Sequence, residues 1–260
     1  MQIDYLTIKM RKIKINPKYE HLRSFIESIP DVFEKEGKEI YNKRNLIKVL
    51  TAPDGTLVNV KRFHIPHGPN RLIYSWNIRK PKGQRAFEYP NILKSKEIGT
   101  PEPLALIEER SPLYLLGYSY LITIQCDYGH TLYEVGNAKP GEYELLAKAL
   151  AHFAVKIHHA HILHKDFTPG NILWKQDDEG FQFMLVDINR MKFGPVSAKE
   201  GLYNLRRFWG PKDFTRFLVS EYALLRNIDV EKALNYVMKV RAQFWTKYEK
   251  KHDIPFQLEL

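Results

Sequence analysis

Cysteine is almost absent from this chain, since Cys126 is the one cysteine among 260 residues. A disulfide framework within the chain is therefore excluded, and a lone thiol suits a reducing compartment. Long apolar runs are missing too: LLGYSYLITI is short and interrupted by Gly117 and Ser119, so no membrane-spanning helix is predicted. The stretch MQIDYLTIKMRKIKI alternates apolar and polar residues and lacks the apolar core of a signal peptide. These absences predict a cytoplasmic protein.

Positive charge is what the chain has in excess, with 40 Lys and Arg against 30 Asp and Glu, a net charge of +10. Such a balance favours a polyanionic partner, and nucleic acid, an anionic membrane face and a phosphorylated substrate all qualify. Charge alone does not choose among them. The hydrophobic content of 44% is enough for a folded core, in one large domain or two small lobes.

The first half of the chain has the pattern of strands with a helix. NLIKVL and TLVNVKRFHI alternate as strands around the turn TAPDG, and ALIEERS and GYSYLITIQCDYG predict two more. Between these pairs, RKPKGQRAFEYPNILKSKEIG predicts a helix that stops near Gly99 and is kinked or divided at Pro90. This half is expected to be a strand-rich lobe.

The second half has the pattern of helices. EYELLAKALAHFAVKIHHAHIL predicts a long amphipathic helix, whose apolar face comprises Leu145, Leu146, Ala149, Leu150, Phe153, Ala154 and Ile157. A short hairpin is predicted in WKQDDEGFQFMLVDI, and the remainder from about Gly201 is helical and basic.

The loop HKDFTPGNIL lies between that helix and the hairpin, and it holds two candidate site residues. Asp166 and Asn171 are five positions apart, and a further carboxylate, Asp187, follows the strand-like FMLV. Phosphoryl transfer needs one carboxylate to orient an attacking hydroxyl, and an amide oxygen and a second carboxylate to hold the metal. Mg²⁺ prefers such hard oxygen ligands. The structural alternative is that Asp and Asn only cap turns.

The strand-rich lobe offers a cation and a carboxylate in the order this chemistry requires. Lys61 alternates with Val58 and Val60, so its side chain is predicted on the opposite face of the strand, where it could neutralise phosphate oxygens. Glu88, in the following helix, could hold the ammonium of Lys61 in place. Each residue taken alone could equally be a solvated surface charge.

The order Lys61, Glu88, His164-Lys165-Asp166, Asn171 and Asp187 resembles the protein-kinase-like fold. More specifically, the chain resembles the lipopolysaccharide core kinases, which phosphorylate heptose or 3-deoxy-manno-octulosonic acid (Kdo) residues. The resemblance extends from about Asn45 to Phe208. The stretches that resemble this family are RAFEYPNILKSKEIGTPEPLALIE, HKDFTPGNIL, LVDINRMKF and GLYNLRRFW.

The resemblance implies an α+β bilobal protein-kinase-like fold with a strand-rich N-lobe and a compact helical C-lobe. We assign residues 1–44 to an extension packing on the N-lobe, 45–125 to the N-lobe and 126–260 to the C-lobe. The implied cofactors are ATP and Mg²⁺. The implied acceptor is lipopolysaccharide core or a lipid A precursor, and the basic charge is compatible with a peripheral position on the anionic inner face of the cell membrane.

The resemblance also implies a role for each candidate residue. Asp166 is expected to be the catalytic base, Asn171 and Asp187 the metal ligands, Lys61 the phosphate contact and Glu88 its ionic partner. His164 is expected to brace the loop rather than transfer protons. The hinge that receives adenine is expected at the backbone of Gln125, Cys126 and Asp127.

The chain departs from protein kinases in three places. TAPDGT has a single glycine, Gly55, where protein kinases have a glycine-rich loop, and Asp187 is followed by Ile188 and Asn189 rather than Phe-Gly. No Ala-Pro-Glu element follows. This absence favours a small or glycolipid acceptor over a peptide. A small atypical Ser/Thr protein kinase and a pseudokinase that binds nucleotide without catalysis are the alternative hypotheses.

Two further patterns are interpreted as structural. HHAHILH holds several histidines, but no Cys or carboxylate pair completes a zinc site, so a helix end is the better interpretation. In NLRRFWGPKDFTRF we expect Leu205, Phe208 and Trp209 to pack while Arg206, Arg207 and Arg216 face water or an anionic acceptor. No RNA-binding motif is present, so nucleic acid is not the expected partner.

Overall fold

The computed structural model describes residues 10–42, 45–254, 256 and 258–260. Its chain divides into two compact units. The first contains the described residues up to Ser95 together with Thr100–Asp127, and the second contains Lys96–Gly99 and the described residues from Tyr128 onward.

The first unit is a sheet with helices. Its strands are β1 Met10–Ile15, β2 Lys38–Asn42, β3 Leu46–Thr51, β4 Leu57–Phe63, β5 Pro103–Arg110 and β6 Leu116–Ile124. Its helices are α1 Arg23–Val32, α2 Pro69–Ser75 and α3 Lys82–Lys94, and a 3₁₀ segment spans Pro17–Leu22. The strands pair antiparallel in the order β1-β5-β6-β4-β3-β2.

The described residues 10–42 contribute two strands to this sheet. Within the segment 1–44, which the sequence assigned to an extension packing on the lobe, β1 and β2 form the two edges of the sheet. Helix α1 places Ile26 and Ile29 fully buried against Val58 and Val60 of β4, in the core cluster of this unit. The alternation in β4 follows from the two-residue period of a strand, which sends Lys61 to the face opposite these valines.

Helix α3 continues through Pro90, so the predicted division there is wrong. Proline lacks a backbone N–H, so one helical hydrogen bond is missing at this position, and both Pro90 and Leu93 are buried. The hairpin predicted at TAPDG is confirmed, with Gly55 at a φ of +85°, a left-handed conformation that glycine adopts without strain.

The second unit is mainly helical. Its helices are α4 Glu144–His159, α5 Ala198–Asn204, α6 Lys212–Leu225 and α7 Val230–Glu249. Its strands are β7 His130–Thr131, β8 Ile162–His164, β9 Ile172–Asp177, β10 Gly180–Leu185 and β11 Met191–Phe193. Its 3₁₀ segments are Leu132–Asn137, Pro169–Asn171, Ile188–Arg190 and Leu205–Arg207.

Helix α4 is the centre of this unit and packs against α6. Its buried stripe includes Ala147, Leu150 and Ala154, as a helical period requires. The predicted apolar face is wrong at Leu145, which is exposed in the first turn of the helix. The long helix and the following hairpin of β9 and β10 are confirmed.

Arg241 of α7 is fully buried, and its guanidinium bonds to three backbone carbonyls. Nε and Nη2 donate to Phe208 and Gly210 over 3.2 Å each, and Nη1 donates to Glu259. Burial lowers the pKa of Arg241 to about 10.

Among the described residues, no helix is both long enough and apolar enough to cross a membrane.

Candidate active site

The predicted catalytic loop follows β8 and is anchored by a buried aromatic ring. Phe167 is almost fully buried and packs edge-on against Phe208, with ring centroids 5.5 Å apart. The segment Pro169–Asn171 then makes one 3₁₀ turn, whose first residue is a proline, before β9 begins. Because Phe167 points into the core, its neighbour Asp166 is left partly exposed, with 25% of its side chain accessible.

The buried side chain of His164 holds the backbone of this loop through two hydrogen bonds. The side chain is fully buried, its Nδ1 accepts from the backbone N–H of Asp166 at 3.1 Å, and its Nε2 donates to the carbonyl of Val186 at 3.1 Å. This pairing defines the tautomer with the proton on Nε2. Burial lowers the pKa of His164, so the ring is neutral at physiological pH. Its geometry is that of a brace.

Asn171 and Asp187 are brought beside Asp166 by backbone contacts. The Asn171 Nδ2 donates to the carbonyl of Asp166 at 2.9 Å, and the N–H of Val186 donates to the carbonyl of Asn171 at 3.0 Å. Since Asp187 follows Val186 directly, the three predicted residues lie in one place although 21 positions separate the first from the last.

Asp187 has a left-handed backbone with a φ of +53°, and Nδ2 of the buried Asn189 donates to its Oδ1 at 2.6 Å. In Asn171 the amide nitrogen is used by Asp166, which leaves Oδ1 as the atom able to bind a cation. An amide oxygen beside a carboxylate is a donor set that suits Mg²⁺. The side chains in this unit therefore fit a divalent metal.

Two arginines that the sequence did not assign to the site contact the Asp166 carboxylate. Arg207 Nη1 bonds to Oδ1, and Arg190 Nη1 lies 3.6 Å from Oδ2. Arg207 was expected to face water or an anionic acceptor, but it is mostly buried with its guanidinium 5.3 Å from the ring centroid of Phe244. Its Nε is buried without a hydrogen-bond partner in the described part of the chain.

No local spacing could have revealed these arginines, because Arg207 is 41 positions from Asp166. The available signal was the Arg-Arg pair beside apolar Leu205, Phe208 and Trp209, and burial of those three is confirmed. Burial on both sides of Arg207 draws its guanidinium inward, where a carboxylate is its natural partner.

In the first unit, Lys61 is on the face of β4 opposite Val58 and Val60, as its alternation predicted. Its Nζ lies 5.3 Å from the ring centroid of Phe63. Phe63 packs in a separate small cluster with Ala86 of α3 and Leu121 of β6. Lys61 therefore shares a sheet face with α3.

Glu88 of α3 bonds to two lysines that the sequence did not assign to it. Its carboxylate bonds to Lys14 at 3.2 Å and to Lys80 at 2.5 Å. Burial alone would raise the pKa of Glu88, but the hydrogen bonds from Lys80 and Lys14 hold it below its usual value. Lys14 comes from β1, which joins the sheet beside β5.

The hairpin turn between β3 and β4 uses its own backbone amides. The N–H groups of Ala52 and Gly55 donate to carbonyls within the turn, and the N–H of Thr56 donates to Asp54 Oδ1 at 2.9 Å. In this conformation those three amides are already bonded. The turn therefore differs from a glycine-rich loop that presents free amides to phosphate.

The predicted adenine hinge lies where the chain leaves the first unit. The Gln125 N–H continues the sheet by donating to Leu57, and its Nε2 donates to the carbonyl of Cys126 at 3.1 Å. Asn59 in turn donates to Gln125 Oε1 at 3.0 Å. The side chain of Gln125 is thus fixed, which orders the Cys126 backbone.

The sequence model of the lipopolysaccharide kinase (Kdo/WaaP) family matches residues 42–222, which is more than half of the chain. The chain belongs to this lipopolysaccharide kinase family. The predicted family, the phosphotransferase class and a sugar of lipopolysaccharide core as acceptor class are thereby confirmed. No curated protein sequence matches the chain.

Solved structures agree with a kinase-like fold. WaaP in complex with acyl carrier protein is similar with a TM-score of 0.60 and 15% identity, covering 93% of this chain and 100% of that chain. At this identity the similarity shows the fold alone, and the predicted fold class is confirmed. The Rio2 kinase-ADP/Mg²⁺-phosphoaspartate complex from Chaetomium thermophilum has a TM-score of 0.47 and 14% identity over 86% and 77% of the two chains, too low to support an argument.

A second buried histidine, His158 of α4, is linked to His164 through the side chain of Asn204. His158 Nδ1 bonds with the Tyr222 hydroxyl at 2.8 Å and its Nε2 with Asn204 Oδ1 at 3.2 Å. Nδ2 of Asn204 donates to the carbonyl of His164 at 3.0 Å. Burial lowers the pKa of His158 to about 4, with Arg226 and His159 adding to the effect.

These histidines predict that acid destabilises the second unit. A buried neutral histidine binds fewer protons than an unfolded one, so its stabilisation is complete above about pH 6.5 and declines in acid. For His158 the stabilisation is lost as the pH falls towards its folded-state pKa of about 4. Each histidine contributes a slope of at most about 1.4 kcal/mol per pH unit. Urea unfolding between about pH 7.5 and pH 5 measures this slope.

The matched variants are His158→Gln and His152→Gln, on the same helix. His152 is exposed, so its replacement is expected to leave both stability and slope unchanged. His158→Gln is expected to lower the unfolding free energy at neutral pH and to flatten its decline in acid. An unchanged slope in His158→Gln would show that this ring does not couple folding to protons.

Proposed function

We propose that this protein is an ATP- and Mg²⁺-dependent kinase that phosphorylates a sugar hydroxyl of lipopolysaccharide core, heptose or Kdo, or of a related lipid A precursor. The observation that supports the proposal is the grouping of Asp166, Asn171 and Asp187, tied together through His164 and Val186. Family membership supplies the acceptor class.

Asp166 is proposed as the catalytic base. Its carboxylate accepts the proton of the acceptor hydroxyl while the hydroxyl oxygen bonds to the γ-phosphorus and the bond to the ADP oxygen breaks. The hydrogen bond from Asp166 N–H to His164 holds the backbone so that the carboxylate projects from the loop. His164 thus positions the loop, while Asp166 accepts the proton.

Asn171 Oδ1 and the Asp187 carboxylate are proposed to hold Mg²⁺. Bound there, Mg²⁺ neutralises phosphate charge during transfer. The contribution of the chain is to preset these oxygens: Asp166 fixes the amide of Asn171, and Asn189 fixes Asp187. Preset ligands need little reorganisation when the cation binds.

Lys61 is proposed as the phosphate contact, and the backbone of Gln125, Cys126 and Asp127 as the adenine contact. The lysine lies on a rigid central strand between β3 and β6, which limits its motion. Glu88 is proposed as the ionic partner of Lys61, and its carboxylate also bonds to Lys14 and Lys80.

Arg190 and Arg207 point to an acceptor that carries a negative group near the reacting hydroxyl. Arg207 is mostly buried and holds Asp166, whereas half of the Arg190 side chain is exposed beside the same carboxylate. An exposed guanidinium beside the proposed base can bind a carboxylate or phosphate of the acceptor with paired hydrogen bonds. Core sugars that are acidic or already phosphorylated fit this arrangement.

We further propose that the protein works at the inner face of the cell membrane. The lipid part of a lipopolysaccharide precursor holds the acceptor in a bilayer, and the net charge of +10 favours an anionic surface.

The proposed base makes a direct prediction. Asp166→Asn keeps the shape of the side chain but cannot accept the proton, so the turnover number is expected to fall by at least about a hundredfold. Single-turnover transfer of labelled phosphate measures the chemical step. Asp178→Asn, at an exposed hairpin turn, is the matched control and should retain wild-type turnover. Wild-type turnover in Asp166→Asn would remove Asp166 from the mechanism.

The acceptor is tested with radiolabelled ATP, extracted lipopolysaccharide core and a soluble protein mixture offered in parallel. We expect label in the core sugars and none in protein beyond the Asp166→Asn background. Label confined to protein would establish a protein kinase instead. Mg²⁺-dependent ATP binding without transfer to any acceptor would establish the pseudokinase alternative.

Arg190→Ala tests recognition of a negative acceptor. Removing the exposed guanidinium is expected to raise the KM for an acidic or phosphorylated core sugar by about tenfold, the loss of one charge-assisted contact, while kcat changes less. Arg216→Ala, an exposed arginine elsewhere in the second unit, is the control. An equal effect on a neutral acceptor sugar would show that Arg190 acts only through Asp166.

A further inference from the structure

Four strongly exposed apolar side chains gather at one end of the first unit. They are Trp76 (63% exposed), Ile78 (72%), Leu113 (79%) and Tyr114 (63%). Trp76 and Ile78 follow the last turn of α2, and Leu113 and Tyr114 form the turn between β5 and β6. We call this group the apolar tip.

One buried arginine joins the two halves of the tip. Arg110 Nη1 donates to the carbonyl of Ser75 at 3.1 Å and to the carbonyl of Tyr114 at 3.1 Å. Two carbonyls that share one nitrogen are within about 6 Å of each other. Trp76 follows Ser75 directly, so the aromatic residues of the two segments are neighbours.

Further hydrogen bonds make the tip rigid. The Leu116 N–H donates to Ser75 Oγ at 2.8 Å, and Arg71 Nε donates to the Leu116 carbonyl at 3.0 Å. The Arg79 N–H donates to the carbonyl of Ile73 at 3.3 Å, which folds the chain after α2 back on the helix. The exposure of these side chains is therefore set by ordered backbone.

The two segments that form the tip contain no acidic residue. From Gly55 to Phe87 the sequence has seven Lys and Arg residues and no Asp or Glu. The segment from Ser111 to Cys126 has no charged residue at all. Arg79 is exposed directly beside Ile78, whereas Lys80 bonds to Glu88. A negatively charged surface is thus the complementary partner.

The chemistry of the tip fits a lipid surface better than a protein groove. Trp and Tyr favour the boundary between headgroups and acyl chains, and Leu and Ile favour the apolar side of it. Long basic side chains reach from such a position to anionic headgroups. Side chains this exposed protrude from the surface, so they can enter a bilayer, which adapts to their shape.

We propose that the apolar tip is a membrane-docking surface that inserts Trp76, Ile78, Leu113 and Tyr114 into an anionic phospholipid bilayer, with Arg79 on its headgroups. The inference names the surface behind the membrane location given under the proposed function, and it stands on contacts that are independent of the phosphotransfer residues. No residue of the tip belongs to the proposed catalytic group.

The test is co-sedimentation of the full chain with vesicles of equal parts phosphatidylglycerol and phosphatidylcholine. We expect binding to these vesicles, weaker binding to pure phosphatidylcholine, and a blue shift of tryptophan emission when Trp76 enters the bilayer. The double variant Trp76→Ser with Ile78→Ser is expected to bind at least about tenfold more weakly. Arg79→Glu is expected to reduce binding only to the anionic vesicles.

The matched control exchanges two equally exposed apolar residues of the second unit, Leu145→Ser with Leu224→Ser, and should bind as wild type. Trp76→Phe should retain binding but lose the emission shift. Equal binding by the Trp76/Ile78 variant, an equal loss in the control, or no vesicle binding by the wild type would each overturn the proposal. Thermal unfolding verifies that every variant is folded.

Phosphotransfer assays keep this proposal separate from the proposed function. With a detergent-dispersed core acceptor, the tip variant is expected to turn over like wild type, whereas Asp166→Asn is expected to bind vesicles normally without transferring phosphate. A tip variant inactive on the dispersed acceptor, though folded, would show that these residues serve catalysis and not docking.

Discussion

The buried ring of His164 is the constraint on which the candidate phosphotransfer site depends. Both ring nitrogens are used, one by the backbone of Asp166 and one by Val186, and the carbonyl of the same residue accepts from Asn204. Replacing this ring would strand buried polar partners, each at a cost of about 1–3 kcal/mol. The loop that carries Asp166, the strand before Asp187 and Asn204 therefore all bond to this one residue.

The elements that could be predicted from the sequence are those that depend on residues close together along the chain. The spacing of Asp166 and Asn171, the strand before Asp187, the hairpin at Gly55 and the helix α4 all follow from local chemistry, and the structure shows these elements. Strand alternation also placed Lys61 on the correct face of β4.

The contacts that were missed join distant segments. The partners of Glu88 include Lys14, 74 positions away, and the partner of Asp166 is Arg207, 41 positions away. Charge pairs of this kind are decided by which strand or helix becomes the neighbour, and no periodicity records that. Leu145 shows a related limit. Helical spacing placed it on the apolar face of α4, but only packing determines where the buried part of that face ends, and Leu145 is exposed.

Arg241 links the far end of the chain to the phosphotransfer site. Its guanidinium holds the carbonyls of Phe208 and Gly210 on one side and of Glu259 on the other, directly after the segment that positions Arg207. Lys212 makes the same link, bonding to Glu259 and Leu260. Glu259 and Leu260 therefore help to hold the backbone that directly follows Arg207, the arginine that contacts Asp166.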